Sequence, residues 1–342
     1  MANRLEKLRA RRMDPLVKVA GAREAYERLV TEDTSVRYAI GSMQPIDETY
    51  TAKSIEERGR VENQLETGFH ESGLDIEFDY QGSLTSDTHI KAYSDIDLLT
   101  VIQTFFSIEP PNRPKDPYNG DPVQDLKGVR RETISILKTA FPAATMETTK
   151  DKCVTISGGS LRRKIDLVAS NWWYTVEYYR EQKKHWLGVK VLDNGKNERV
   201  VNKPFLHNKR IDERDVETGG GLRKTIRLLK SLKYDSDEKI DVSSYDLASI
   251  AYNVFPSWLT VESGRELILV QNCRNYLRYL IYDVKYRETI DVPNGMRKVF
   301  GPGGATLVGL QQLSSAVDTL VDEIQRELNR TSRKLEEMRF VY

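Results

Sequence analysis

The chain has 342 residues, 39% hydrophobic and 30% charged, with a formal net charge of +1; that is a soluble composition long enough for two domains, and it excludes a polycation that coats nucleic acid. Two cysteines, Cys153 and Cys273, are too few for a disulfide framework or a cysteine zinc site and suit a reducing compartment. No stretch approaches the roughly 20 apolar residues of a membrane helix, and residues 1–13 lack the apolar segment of a signal peptide, so a cytoplasmic protein without membrane contact is expected.

Residues 1–13 set Arg4, Lys7, Arg9, Arg11 and Arg12 against Glu6, which reads as the solvated face of a helix. Residues 50–73 read as a long amphipathic helix, with Ile55, Val61, Leu65 and Phe69 at helical spacing and Gly73 as its stop. Residues 75–81 alternate like a strand and lead into the turn Gly82-Ser83. Twelve residues after Ser83 comes a second strand opening on Asp95-Ile96-Asp97-Leu98. Five prolines within residues 107–125 mark an irregular loop, and a helix is predicted over about 126–140. Residues 152–157 and 163–169 form a strand pair around Gly158-Gly159-Ser160. The aromatic run Trp172, Trp173, Tyr174, Tyr178, Tyr179 and Trp186 reads as the buried stripe of a helix, and 186–221 as loop-rich. Helices are predicted over 222–234, 243–253, 262–286 and 305–338. The coarse picture is an α+β half followed by a mostly helical half.

The chemistry concentrates on three carboxylates. Side chains at i and i+2 of a strand leave from one face, so Asp95 and Asp97 point together while Ile96 and Leu98 enter a core. Carboxylates that close raise each other's pKa unless a cation lies between them; Mg²⁺, which takes carboxylate oxygens and keeps positions for phosphate, suits them. The Gly82-Ser83 turn can offer backbone N–H groups and a hydroxyl to phosphates. Asp166, in the apolar strand Lys164-Ile165-Asp166-Leu167-Val168, needs a partner if buried. Three carboxylates on neighbouring strands can hold two Mg²⁺ ions. The plainer reading is two solvent-facing aspartates on an edge strand and a salt-bridged Asp166. On the helix opened by Gly221, Leu222, Ile226 and Leu229 form the buried stripe, and Arg223, Arg227 and Lys230 a cationic one that suits a triphosphate. Ser243-Ser244-Tyr245-Asp246-Leu247 reads as an N-cap followed by the next helix.

Gly-Ser, a gap, Asp-x-Asp on a strand and a later strand Asp resemble the DNA-polymerase-β-like nucleotidyltransferases. Leu228-Leu229-Lys230 on one helix and Ser243-Ser244-Tyr245 at the start of the next resemble the cGAS/DncV-like branch (CD-NTases), the family of bacterial anti-phage CBASS systems; Pro204-Phe205-Leu206-His207 and Asp291-Val292-Pro293-Asn294 also resemble segments of its bacterial members. The likeness covers about residues 50–320. There are two departures. Asp87-Thr88 stands where many members carry Gly-Thr, and two distant cysteines cannot supply the zinc insertion of the animal DNA sensor, so DNA activation is not expected.

The resemblance implies a polymerase-β-like core sheet with a C-terminal helical, OAS-like domain, bilobal with the active site in the cleft: 1–74 N-terminal helices with a spine helix, 75–215 catalytic core, 216–342 helical nucleotide-binding domain. It implies Asp95, Asp97 and Asp166 as catalytic metal ligands for two Mg²⁺ ions, with Mn²⁺ as a substitute. Gly82, Ser83, Lys230 and Ser244 would hold donor phosphates, and Tyr245 would stack on the donor base. The implied activity is template-independent joining of NTPs, ATP among them, into a cyclic di- or oligonucleotide that acts on a separate effector protein, with a regulatory partner compatible. Linear oligomer synthesis, RNA-end or small-molecule modification, and a silent nucleotide-binding member are the alternatives.

Overall fold

The computed structural model describes residues 4–12, 34–90 and 94–339. Residues 1–3 and 13 of the basic segment, and Lys91-Ala92-Tyr93 between the Gly-Ser turn and the acidic strand, lie outside them. The chain divides into two units, Asp47–Arg210 and Met1–Ile46 with Ile211–Tyr342.

The first unit is built on a seven-stranded mixed sheet. Helix α3 (Glu48–Glu71) follows α1 (Arg4–Arg12) and α2 (Thr34–Met43), and Asp47 caps it by accepting from the Tyr50 N–H. Val61, Leu65 and Phe69 are buried as their spacing predicts, but Ile55 is 44% exposed: the buried face runs from Tyr50 through Ser54 and Glu57, and Ile55 lies off it. Strand β1 (Ile76–Gln81) runs antiparallel to β2 (Ile96–Ile108), and β2 runs parallel to β5 (Leu161–Tyr174). Helix α4 (Pro122–Ala140) lies between, opened by the Asp121 cap and with proline in its first turn, where a missing N–H costs nothing. Strands β3 (Thr145–Glu147) and β4 (Val154–Gly158) complete that side, with β4 antiparallel to β5.

Alternation gives the sheet two unlike faces. Ile96, Leu98, Ile165, Leu167, Val154 and Ile156 pack with Val61, Leu65, Phe69, Leu126, Val129 and Leu137 of α3 and α4 in the main core. Leu99, Val101, Val168 and Trp172 point the other way, into a smaller cluster with Val189 and Val191. That second face is the one that carries Asp97 and Asp166.

Two expectations fail here. The aromatic run is not one helix: Trp172, Trp173 and Tyr174 end β5, Tyr178 and Tyr179 sit on the short helix α5 (Val176–Glu181), and Trp186 closes a 3-10 turn. Bulky aromatics suit a pleated, paired surface, and β6 (Leu187–Asp193) supplies the partner strand. Nor is 186–221 loop-rich. It holds the hairpin of β6 with β7 (Glu198–Asn202) and then helix α6 (Pro204–Glu217). The missed signal was Asn194-Gly195 between alternating apolar residues, a strong hairpin cue.

The second unit is helical: α7 (Gly221–Asp235), α8 (Ser244–Tyr252), α9 (Pro256–Leu259), α10 (Leu267–Tyr282), α11 (Val284–Thr289) and α12 (Leu307–Arg339). The helix expected over 262–286 breaks at Asp283, whose carboxylate accepts from the Tyr286 N–H and caps a new start. Leu5 and Leu8 of α1 enter this unit's core. The basic N-terminal face is therefore not simply solvated: Arg11 is buried and ion-paired with Asp235, which also accepts from the Tyr38 hydroxyl at 3.1 Å, and Lys7 bonds Asp237 at 2.6 Å.

Candidate active site

Strand register assembles the acidic site. Asp97 of β2 is the register partner of Asp166 on β5, Asp166 of Thr155 on β4, and Asp97 of Gln81 on β1. Cross-strand partners share a face, so Thr155, Asp166, Asp97 and Gln81 form one row across four strands. Asp97 is half-buried and Asp166 largely so, while Ile96 and Leu98 are buried on the opposite face. Asp95 lies one residue before β2. Burial, and then the charge of Asp166, push its carboxyl above the usual carboxylate range, against opposing pulls from Lys150 and Lys164.

The Gly82-Ser83 turn closes one end of the row. Gly82 has φ +86°, and a Cβ there would lie 2.0 Å from Asp97 Oδ2. Only glycine lets this backbone lie against the carboxylate. The loop is tied internally: the Thr88 N–H donates to Ser83 O at 3.0 Å, the Thr85 hydroxyl to Gly82 O at 2.8 Å, and Asn208 Nδ2 to Thr85 Oγ1 at 2.7 Å. Asp87 takes φ +49°, the conformation for which glycine is favoured, and its side chain is 51% exposed. Aspartate tolerates that region better than most residues, so the departure at 87 preserves the turn.

At the other end of the row stands Lys150, which sequence reasoning missed. Its Nζ donates to Thr155 Oγ1 at 2.9 Å and lies 3.5 Å from Asp166 Oδ1, while the Thr155 hydroxyl donates to the same oxygen at 2.5 Å. Nothing in the sequence marks it, because it sits on the connection before β4. Of the basic residues that precede Asp166 on β5, Arg163 has its guanidinium 3.8 Å from the Tyr50 ring centre, while the charge of Lys164 acts on Asp95. Burial, and then Asp166, push the Cys153 thiol up to about 12, so it stays protonated.

The donor set fits a divalent cation in chemistry. Asp95 and Asp166 repel, and Gln81 Oε1 is buried without a hydrogen-bond partner among the described residues. No group of three or more His, Cys, Asp or Glu side chains among them is gathered closely enough to hold a metal ion as it stands. The row presents separated acids, with an ammonium already on one of them.

In the helical unit the expected cationic stripe is largely consumed by the fold. Arg223 is held by Asp212 at 2.6 Å and Asp215 at 2.8 Å, and Arg227 is buried, donating to Met43 O at 3.3 Å. Lys230 is buried one turn further on. Ser243 caps α8 through the Asp246 N–H, and Ser244 Oγ lies 3.3 Å from the Tyr234 hydroxyl. Tyr245 is half-buried; its hydroxyl donates to Asn294 Oδ1 at 3.1 Å and the Arg297 guanidinium lies 5.4 Å from its ring centre. Two segments singled out separately, Ser243-Ser244-Tyr245 and Asp291-Val292-Pro293-Asn294, thus meet. His89 is buried with Nε2 3.1 Å from Thr51 Oγ1.

Residues 209–328 match the model of the cGAS/DncV-like nucleotidyltransferase C-terminal helical domain. A cyclic dinucleotide synthase, CdnE, of Yersinia aleksiciae is 37% identical over 313 residues, covering 89% of this chain and 80% of that protein. The chain belongs to the cGAS/DncV-like nucleotidyltransferases. A c-di-GMP synthase of a Lachnospiraceae bacterium is 29% identical over 259 residues, 67% of this chain and 73% of its own. The solved STING-associated CdnE c-di-GMP synthase of Capnocytophaga granulosa aligns over 94% of this chain and 98% of its own, with a TM-score of 0.75 at 26% identity. The α+β architecture of this family, a mixed sheet followed by a helical domain, is the one described above, and the chain is a nucleotidyltransferase. Among the described residues no helix is long and apolar enough to cross a membrane.

Proposed function

We propose that the chain joins two nucleoside triphosphates into a cyclic dinucleotide second messenger, which acts on a separate effector protein in anti-phage signalling. The observation that carries this reading is the cross-strand row in which Asp97 stands beside Asp166 with the Gly82 backbone packed on its carboxylate. The product class is supported by the relatives, which are named cyclic dinucleotide and c-di-GMP synthases.

In each transfer a ribose hydroxyl oxygen attacks an α-phosphorus, pyrophosphate leaves, and the hydroxyl proton departs; the second transfer closes the ring. Asp95, Asp97 and Asp166 would hold Mg²⁺, or Mn²⁺ in its place, and the ions supply hydroxyl activation and neutralisation of the triphosphate charge. Asp166, which already accepts from Thr155, receives the proton. Gly82 and Ser83 bind donor phosphates through backbone N–H groups and the hydroxyl. Lys230 and Ser244 add phosphate contacts, and Tyr245, held by Asn294, stacks on the base.

Incubation with labelled NTPs and Mg²⁺ is expected to give a phosphatase-resistant product with the mass of a cyclic dinucleotide, absent from the Asp95→Ala/Asp97→Ala protein. A product that phosphatase degrades would replace cyclisation by linear synthesis. Tight NTP binding without pyrophosphate release would make the chain a nucleotide-binding member only.

A further inference from the structure

Lys150 is not a surface lysine that happens to lie near an acid. Its main chain is fixed from beneath by Arg130, a buried residue of α4 whose guanidinium donates to the carbonyls of Thr148, Lys150 and Cys153, each at 2.8 Å. The Asn194 N–H anchors the same connection through Asp151 O at 2.9 Å. The side chain leaves this platform toward the row and meets acceptors from three elements: Thr155 of β4 at 2.9 Å, Asp166 of β5 at 3.5 Å and Glu147 of β3 at 3.9 Å. Its charge also reaches Asp95. The ammonium is thus aimed, from a tied backbone, at an acid the proposed chemistry assigns to the cation.

We infer that Lys150 is the built-in counter-ion of the acidic row, a positioning residue whose ammonium takes the cation's place on Asp166 while no nucleotide is bound. The inference rests on the reading of Asp95, Asp97 and Asp166 as the metal-holding acids. Two like charges cannot share one carboxylate edge without repulsion, so a divalent ion reaches Asp166 only as Lys150 withdraws. Free metal alone drives that only weakly. A metal–triphosphate complex brings negative charge that offers the ammonium a new partner, and so it enters more easily. The protein then selects nucleotide-bound metal over free metal.

The test measures Mn²⁺ binding calorimetrically on the full chain without nucleotide. Lys150→Met is expected to bind Mn²⁺ about tenfold more tightly than wild type, a modest figure because the side chain is 37% exposed and screened. Lys150→Arg is expected to keep the weak wild-type affinity, and Asp166→Asn in the Lys150→Met background to cancel the gain. Should Lys150→Met fold poorly, Lys150→Gln with Mn²⁺-dependent melting gives the same reading: a larger Tm gain than wild type. Equal or weaker Mn²⁺ binding in folded Lys150→Met or Lys150→Gln, with wild type still binding through the three acids, overturns the counter-ion role alone. Absence of Mn²⁺ binding in every variant, even with a non-hydrolysable NTP, overturns the metal centre and the counter-ion with it.

Discussion

Replacing Asp97 by asparagine is expected to lower the rate of pyrophosphate release at least about a thousandfold while leaving the protein folded. Asp97 sits at the centre of the row, between Asp166 on β5 and the Gly82 turn, and asparagine keeps its shape without its charge. A carboxylate that holds a cation at the reacting phosphate supplies several kcal/mol of charge stabilisation, and each 1.36 kcal/mol is a factor of ten. The fold does not depend on the charge, since the core under this strand is made by Ile96 and Leu98 on the other face. A variant with more than about a tenth of the wild-type rate would remove Asp97 from the chemistry. Asp95 gives the matching stability experiment. Its carboxyl is raised by burial and by Asp166, so the native state favours the protonated acid. That contribution is full in acid and is lost as pH rises through the raised pKa. The metal-free Tm of Asp95→Asn, measured against wild type, should therefore climb from acid to neutral pH; parallel profiles would contradict the burial of Asp95 beside the charge of Asp166.

Gly82→Ala is expected to cost about a hundredfold in activity for the addition of one methyl group. Two effects combine. The residue has φ +86°, where an L side chain costs roughly 1–2 kcal/mol. The new Cβ would also lie 2.0 Å from Asp97 Oδ2, so either the turn or the carboxylate must move, and a displacement of about 1 Å in a reacting constellation costs about 10²-fold. Gly73→Ala separates the two. Gly73 has φ +73° with nothing within 4 Å of its Cβ position, so it shares the backbone penalty without the collision. Both variants should melt lower, Gly82→Ala by at least as much as Gly73→Ala, and only Gly82→Ala should lose activity. Equal activity in the two would mean that the turn does not bear on the acid.

What the sequence made legible follows the range of each physical signal. Period-two alternation placed Asp95 and Asp97 apart from Ile96 and Leu98, because burial on one face of a strand is written locally. The pairing of Asp97 with Asp166 is a register between strands that are 69 positions apart; the apolar context of Asp166 hinted that it needed a partner without saying which. Lys150 was invisible, since its place depends on Arg130 holding a connection from a distant helix. The cationic stripe of α7 was legible as a stripe, yet its neighbours decide its use: Asp212 and Asp215 claim Arg223, and the core claims Arg227. The aromatic run deceived because tryptophan and tyrosine at short spacing suit a helix stripe and a strand end equally, and the decisive Asn194-Gly195 turn lies beyond it.

The most direct measurement is the anomalous signal from crystals grown with Mn²⁺ and a non-hydrolysable NTP. The expected result is a Mn²⁺ peak within about 2.5 Å of carboxylate oxygens from both Asp97 and Asp166, with Lys150 withdrawn from Asp166. Bound nucleotide with no metal on these acids, and Lys150 still seated on Asp166, would contradict the metal centre on which the proposed chemistry depends.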